Sequence, residues 1–262
     1  MLKFCRRIRQ SLLSEGNTGK YFKYAIGEIV LVVIGILIAL QINNWNTHRI
    51  ERAKEDSYLI NLKEDLDNQL QLIERSLMGE EQIYTNLTQA KNNFEKYKRF
   101  RPVKEDIVLL SSLNDRFTFT ITSPSYTELL STGNLDLITD KGFKSQMVKY
   151  YEDLEFTSQI IANNNLYKDN VISRVTLTIL ETAGGSQPGL IHEGYVPTFD
   201  NYQTPPEVMA IVESNLAKPE NQLKLLNLVR ERRLVSGSHV DKMKDAQTRT
   251  LALLELLNSM EN

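Results

Sequence analysis

One uninterrupted apolar segment, residues 25–42, constrains the fold of this 262-residue chain more than any other feature. Its sequence, AIGEIVLVVIGILIALQI, contains a single ionisable residue, Glu28. At about 1.5 Å per residue, a helix of this length spans roughly the 30 Å hydrocarbon core of a bilayer. A buried core helix of a soluble protein is the alternative, but such a helix rarely needs so long an apolar run. The sequence therefore predicts one transmembrane helix, at residues 21–45, in contact with the lipid bilayer.

The flanks of this segment predict how it is anchored and oriented. Tyr21 and Tyr24 precede it and Trp45 follows it, so all three are predicted membrane anchors at the two interfaces. Lysine and arginine are more numerous before the segment than after it, which predicts a cytoplasmic N-terminus. The residues that follow, LQINNW, lack a small-x-small cleavage site, which favours an uncleaved signal anchor over a secretory signal peptide. We therefore expect an inner (cytoplasmic) membrane protein with residues 46–262 in the periplasm.

Residues 1–20 form a basic leader before the membrane segment. Leu2, Cys5, Ile8 and Leu12 recur at helical spacing and arginines fill the other side, which predicts an amphipathic helix lying on anionic lipid. A docking helix for a cytoplasmic partner is the alternative. Cys5 is the only cysteine, so the rest of the chain can form no disulfide and no thiolate metal site.

Glu28, Gly35 and Ala39 share one stripe of the predicted membrane helix. Gly35 and Ala39 form a small-xxx-small pair, which lets two helix backbones approach closely in lipid. The stripe predicts a helix–helix interface in which Glu28 faces a partner. The alternative for Glu28 is a merely interfacial carboxyl, because it lies about one turn from the cytoplasmic boundary and could pair with Lys20 or Lys23.

Long amphipathic helices dominate the region after the membrane segment. Apolar residues recur at heptad spacing in a predicted stalk helix, residues 46–100, and Glu80 interrupts their series: Leu59, Leu66, Ile73, Leu87 and Phe94. This stripe can serve as a coiled-coil seam or as one helix of a bundle. Further long helices are predicted at residues 141–182 and 219–260, separated by a Gly/Pro-rich loop at residues 183–206. The predicted fold class is all-α, with the stalk helix leading into a helical bundle.

The sequence contains no motif that specifies a reaction, a cofactor or a metal. His48, His192 and His239 are far apart, and no phosphate-binding or nucleophile motif is present. A net charge of −2 gives no basic face for nucleic acid. The paired acids on helices, such as Glu64 and Asp65, are predicted to be solvated, and so is the basic cluster Arg230, Arg232 and Arg233.

Two stretches resemble a known family. They are residues 19–46, GKYFKYAIGEIVLVVIGILIALQINNWN, and residues 125–138, SYTELLSTGNLDLI, which precede a helix with Tyr150 and Tyr151. Both are similar to signatures of an uncharacterised family of single-pass inner-membrane proteins of Bacteroidota. The resemblance implies an inner-membrane anchor with a periplasmic helical domain. It implies no activity, so no functional residues are carried over.

We expect a non-enzymatic envelope protein whose periplasmic bundle binds another envelope protein or a second copy of itself. No cofactor, metal or nucleic acid is expected. The alternative is a ligand sensor that signals through the stalk and the membrane helix to a separate cytoplasmic partner. For that alternative, the polar residues 163–165 and 236–238 would mark a ligand pocket in the middle of the bundle.

Overall fold

The computed structural model describes residues 18–181 and 204–260. Over these residues the protein is all-α, as predicted, and contains no strand. The elements in chain order are α1 (Thr18–Tyr97), α2 (Lys104–Ser111), α3 (Pro124–Ser131), a 3₁₀ turn (Asn134–Leu137), α4 (Lys141–Tyr167), a π-helical turn (Lys168–Ile172), α5 (Ser173–Thr176), α6 (Pro206–Ala217) and α7 (Pro219–Met260). Residues 1–17 of the predicted leader, including Cys5, lie outside the described residues, and so does most of the predicted loop at 183–206, including His192.

Helix α1 is a single helix of 80 residues that includes the apolar segment and the predicted stalk. No glycine or proline breaks it between Gly35 and Gly79, so its backbone hydrogen bonds continue without interruption. The chain divides into two compact units, Met1–Ser57 and Tyr58–Asn262. Of the described helices, α1 alone is long and apolar enough to cross a membrane, and none of its most apolar window is buried.

The second unit is a bundle in which three long helical segments enclose two apolar clusters. The first apolar cluster joins residues 62–77 of α1, 143–161 of α4 and 240–257 of α7. The second apolar cluster joins residues 83–90 of α1 and 225–229 of α7 with buried residues of α2 and α6. The heptad stripe of the stalk therefore faces this core, since Leu66, Ile73 and Leu87 are at most 1% exposed. Within this unit the stripe is one side of a bundle helix.

An extended segment, residues 116–122, runs between α1 and α4 in place of a further helix. Its side chains alternate, with Phe117 and Phe119 buried and Thr118 and Thr120 exposed. Helix side chains satisfy its carbonyls on both sides. Gln69 Nε2 and Ser76 Oγ of α1 donate to the oxygens of Thr120 and Thr118, while Ser158 Oγ and Asn165 Nδ2 of α4 donate to those of Phe119 and Phe117. The β-formers FTFTIT thus adopt strand-like backbone without a sheet, because polar helix side chains replace the partner strand.

Helix α3 is docked by a carboxylate from α1. Asp65 Oδ2 accepts from the backbone N of Ser125 at 2.8 Å, which satisfies a free N–H in the first turn of α3. The prediction that Asp65 lies on a solvated face is wrong, since it is only 7% exposed. Pro124 occupies the first helical position, and Gly133 ends the helix with a left-handed backbone, φ 70°.

Candidate functional site

A buried polar cluster lies in the middle of the bundle. It consists of five residues from three helices: Glu80 of α1, Asn164 of α4, and Arg232, Ser236 and His239 of α7. In α1 and α7 these residues come between those of the first and second apolar clusters, and in α4 Asn164 follows Ile161, the last residue of the first apolar cluster in that helix. Glu80, Ser236 and His239 are fully buried and Arg232 is 1% exposed. The central polar cluster therefore separates two apolar cores.

One carboxylate oxygen is the centre of the cluster. Glu80 Oε1 accepts from Arg232 Nη1 at 2.9 Å and from Ser236 Oγ at 2.7 Å, and His239 Nδ1 lies 3.3 Å from it. Arg232 Nη2 also donates to the backbone oxygen of Asp115 at 3.2 Å. The charge of Glu80 is thus balanced by Arg232, and the same guanidinium holds the start of the extended segment.

His239 connects this carboxylate to α4. The amide nitrogen of Asn164 lies 3.0 Å from His239 Nε2, and with the amide so oriented it donates to that ring nitrogen. The ring proton then belongs on Nδ1, the atom that faces Glu80. The cluster therefore joins α1, α4 and α7 through a single chain of polar contacts.

Several buried polar atoms of the cluster have no well-formed hydrogen bond. They are Glu80 Oε2, Arg232 Nε and His239 Nδ1, although the last lies 3.3 Å from Glu80 Oε1. Three groups thus crowd one oxygen of Glu80 while the other oxygen has no partner. A buried polar group without a partner costs about 1–3 kcal/mol. The packing of the two apolar clusters must therefore offset the cost of these unpaired atoms.

The backbone beside the cluster is packed closely. A Cβ added to Gly79 would come within 1.9 Å of the Phe117 ring, so only glycine allows this ring to lie against α1 next to Glu80. Lys168, in the π-helical turn, is 5% exposed and donates to the backbone oxygen of Asn114 at 2.8 Å. Phe117 of the extended segment therefore packs beside Glu80, and Lys168 connects the π-helical turn to the chain just before that segment.

The cluster corrects one prediction and sharpens another. Arg232 was predicted to be exposed with Arg230 and Arg233, which is wrong, because its guanidinium is the buried counter-charge of Glu80. Of the residues predicted to mark a polar pocket, Asn164 and Ser236 do belong to a polar cluster in the middle of the bundle. Their polar groups are occupied by protein partners.

The predicted membrane-helix residues lie on α1 in the first unit. Glu28 is half-buried, and a Cβ added to Gly35 would meet nothing within 4 Å. Ala39 and Trp45 are exposed, and the Arg49 guanidinium lies 5.6 Å from the centre of the Trp45 ring. The side chains of Tyr21 and Tyr24 lie outside the described part of the structure. The interface and the anchors stay predictions.

The pKa of Glu80 makes the cluster a source of pH-dependent stability. Burial opposes ionisation, but the close approach of His239 Nδ1 and the charge of Arg232 more than offset it and lower the pKa from 4.5 to about 2. Because the folded pKa lies below the unfolded one, the carboxylate stabilises the bundle above about pH 4.5. That stability is lost as the pH falls towards 2.

We expect the bundle to lose about 2 kcal/mol of unfolding free energy through this group between pH 7 and pH 3. The measurement is chemical denaturation of the full-length protein in detergent at both pH values. Glu80→Gln is the control, since the amide cannot titrate, and its pH dependence should be shallower by this amount. Equal pH dependence in the two proteins would show that Glu80 has an ordinary pKa.

Known proteins place the chain in a family without adding an activity. The family described as "Family of unknown function (DUF6090)" matches residues 28–179, more than half of the chain. That region includes Glu80 and Asn164 but ends before α7. No curated protein and no solved structure matches the chain. Within residues 18–181 and 204–260, no group of three or more His, Cys, Asp or Glu side chains could hold a metal ion.

Proposed function

The chain belongs to DUF6090, a family of unknown function, and we propose that it is a membrane-anchored envelope protein. Its periplasmic helical bundle mediates protein–protein contact or assembly, without catalysis. The supporting features are a helix that needs lipid, a bundle whose buried polar groups are directed at one another, and several exposed apolar residues on the bundle surface.

The exposed apolar surface of α1 carries this proposal. Nearly every large side chain between Ile26 and Ile42 is exposed, with Leu31 at 72% and Ile29 at 62%. Soluble monomers rarely expose contiguous apolar patches larger than a few hundred Å². A bilayer covers such a surface, because its hydrocarbon core is as apolar as these side chains. The greater number of Lys and Arg before the segment favours a cytoplasmic N-terminus and a periplasmic bundle.

The bundle supports a binding role better than a catalytic one. The side chains of the central polar cluster contact each other, and none of Glu80, Ser236 and His239 is exposed. By contrast, large apolar side chains are exposed on α4, α6 and α7, among them Leu166, Ile211 and Leu234, each about 60% or more. Exposed leucine and isoleucine side chains supply apolar area for a protein partner.

The test is chemical crosslinking in native membranes, followed by gentle solubilisation, purification and identification of everything attached. We expect a second copy or another envelope protein to be purified with the protein, crosslinked to its bundle or its membrane helix. Recovery of monomer alone, with no partner in repeated preparations, would contradict the proposal.

The same experiment separates this proposal from a second candidate, a ligand sensor. The observation that favours a sensor is the group of buried polar atoms without hydrogen-bond partners. A small shift of the Glu80 side chain would change contacts that join α1, α4 and α7. As proposed, the sensor would signal through α1 to a separate cytoplasmic partner. A crosslinked partner from the cytoplasm would favour the sensor, whereas one from the periplasm or the membrane would favour assembly.

A further inference from the structure

Helix α1 has a second exposed face that continues beyond the apolar segment. In heptad notation, positions a and d from Ile29 to Ser57 hold no charged residue. Positions a are Ile29, Ile36, Asn43, Ile50 and Ser57, and positions d are Val32, Ala39, Asn46 and Ala53. All nine are exposed in the single chain, with Ile29 at 62%, Ile36 at 55% and Ile50 at 46%. We call these nine residues the α1 seam.

The lower charge of the α1 seam is most evident where the helix leaves the apolar segment. Residues 48–57, HRIERAKEDS, contain six charged residues, and all six lie off the seam. Only Ile50, Ala53 and Ser57 occupy seam positions there. In a helix exposed to water on every side, charged residues are expected on all faces. The pattern is that of a helix packed against another helix.

We propose that the α1 seam binds the same seam of a second copy of this chain, forming a parallel coiled coil that continues from the membrane into the periplasm. The inference rests on the proposed function, because it requires α1 to cross the membrane. Two copies inserted in the same direction lie parallel and present the same residue at the same depth. The a and d residues of the two copies therefore face each other along the whole seam. An unrelated partner would need the same a and d spacing to do so.

The chemistry of the seam also fits a copy of itself. Asn43 lies at position a, and its amide carries both a donor and an acceptor, so it can pair with the same amide of the second copy. A single asparagine at position a fixes register and copy number in parallel coiled coils. Ala39 is small, and Gly35 lies beside the seam, which allows the two backbones to approach closely within lipid.

Cysteine crosslinking tests this proposal at neighbouring positions. In the full chain carrying Cys5→Ser, single cysteines replace seam residues, Ile50→Cys or Ala53→Cys, or the adjacent charged residues, Glu51→Cys or Arg52→Cys. Each pair differs by one residue and lies at nearly the same depth. On mild oxidation of native membranes, we expect the seam variants to form disulfide-linked dimers at least several-fold faster than their neighbours.

Two outcomes would overturn the proposal. Equal dimer formation at Ala53→Cys and Arg52→Cys would show random collision, and a disulfide-linked product with a different protein would show another occupant. The membrane fraction is measured in parallel, before oxidation. Protein in the membrane with no periodic crosslinking contradicts the α1 seam alone, whereas protein absent from the membrane contradicts the proposed function as well.

Discussion

Replacing Glu80 by methionine is expected to lower the free energy of unfolding of the bundle by about 3–5 kcal/mol. The reason is Arg232, which is 1% exposed and would remain buried without its counter-charge. Ser236 would also lose the carboxylate that accepts its hydroxyl proton at 2.7 Å. The measurement is chemical denaturation of the full-length protein in detergent, followed by circular dichroism.

Two controls show whether the buried pair causes this effect. Glu81, the next residue, pairs with Lys244 at 2.7 Å, but both side chains are about half exposed. Glu81→Met should therefore change stability little, because exposed ion pairs are screened by solvent. The double variant Glu80→Met/Arg232→Leu removes both buried charges and should regain most of the lost stability. If Glu80→Met costs no more than Glu81→Met, the pair does not hold the bundle together.

The long helices and their core faces could be predicted from apolar spacing. The stripe through Leu66, Ile73 and Leu87 lies in the core, and proline and glycine delimit α3 at Pro124 and Gly133. These features are local, because helical periodicity and the residues that begin or end a helix act within a few turns. The all-α fold class followed from them.

The central polar cluster could not be predicted in the same way. Glu80 was visible as an interruption in a heptad series, which was the available signal for a buried carboxylate. Its partner Arg232 is 152 positions away and lies in a basic cluster that resembles an exposed face. Pairing across that distance depends on how α1 and α7 pack, which no local pattern contains.

Side-chain partners of the backbone were also hidden from the sequence. The alternation FTFTIT is typical of extended backbone, but nothing local shows that Gln69 and Asn165 take the place of a neighbouring strand. The same holds for Asp65, whose cap on α3 bridges 60 positions. In both cases a polar residue on a helix satisfies the backbone of a distant segment, and its burial follows from that contact.

Removing the apolar segment has the largest expected effect, because the protein should move entirely from the membrane pellet to the soluble fraction. We predict that alkaline carbonate leaves the full-length protein in the membrane pellet, since the side chains around Leu31 have no protein cover. A variant that lacks residues 25–42 should appear in the soluble fraction. Intact mass of the membrane-bound protein should show that the segment is still present.

The membrane-anchored periplasmic bundle is tested by labelling with a membrane-impermeant maleimide in intact and in opened spheroplasts. We predict that Cys5 is labelled only after opening, and that the variant Cys5→Ser/Lys141→Cys, with its cysteine at the start of α4, is labelled in intact spheroplasts. Cys5→Ser alone is the blank. Labelling of Cys5 from outside, or a mature protein cleaved after the apolar segment, would contradict a membrane-anchored periplasmic bundle.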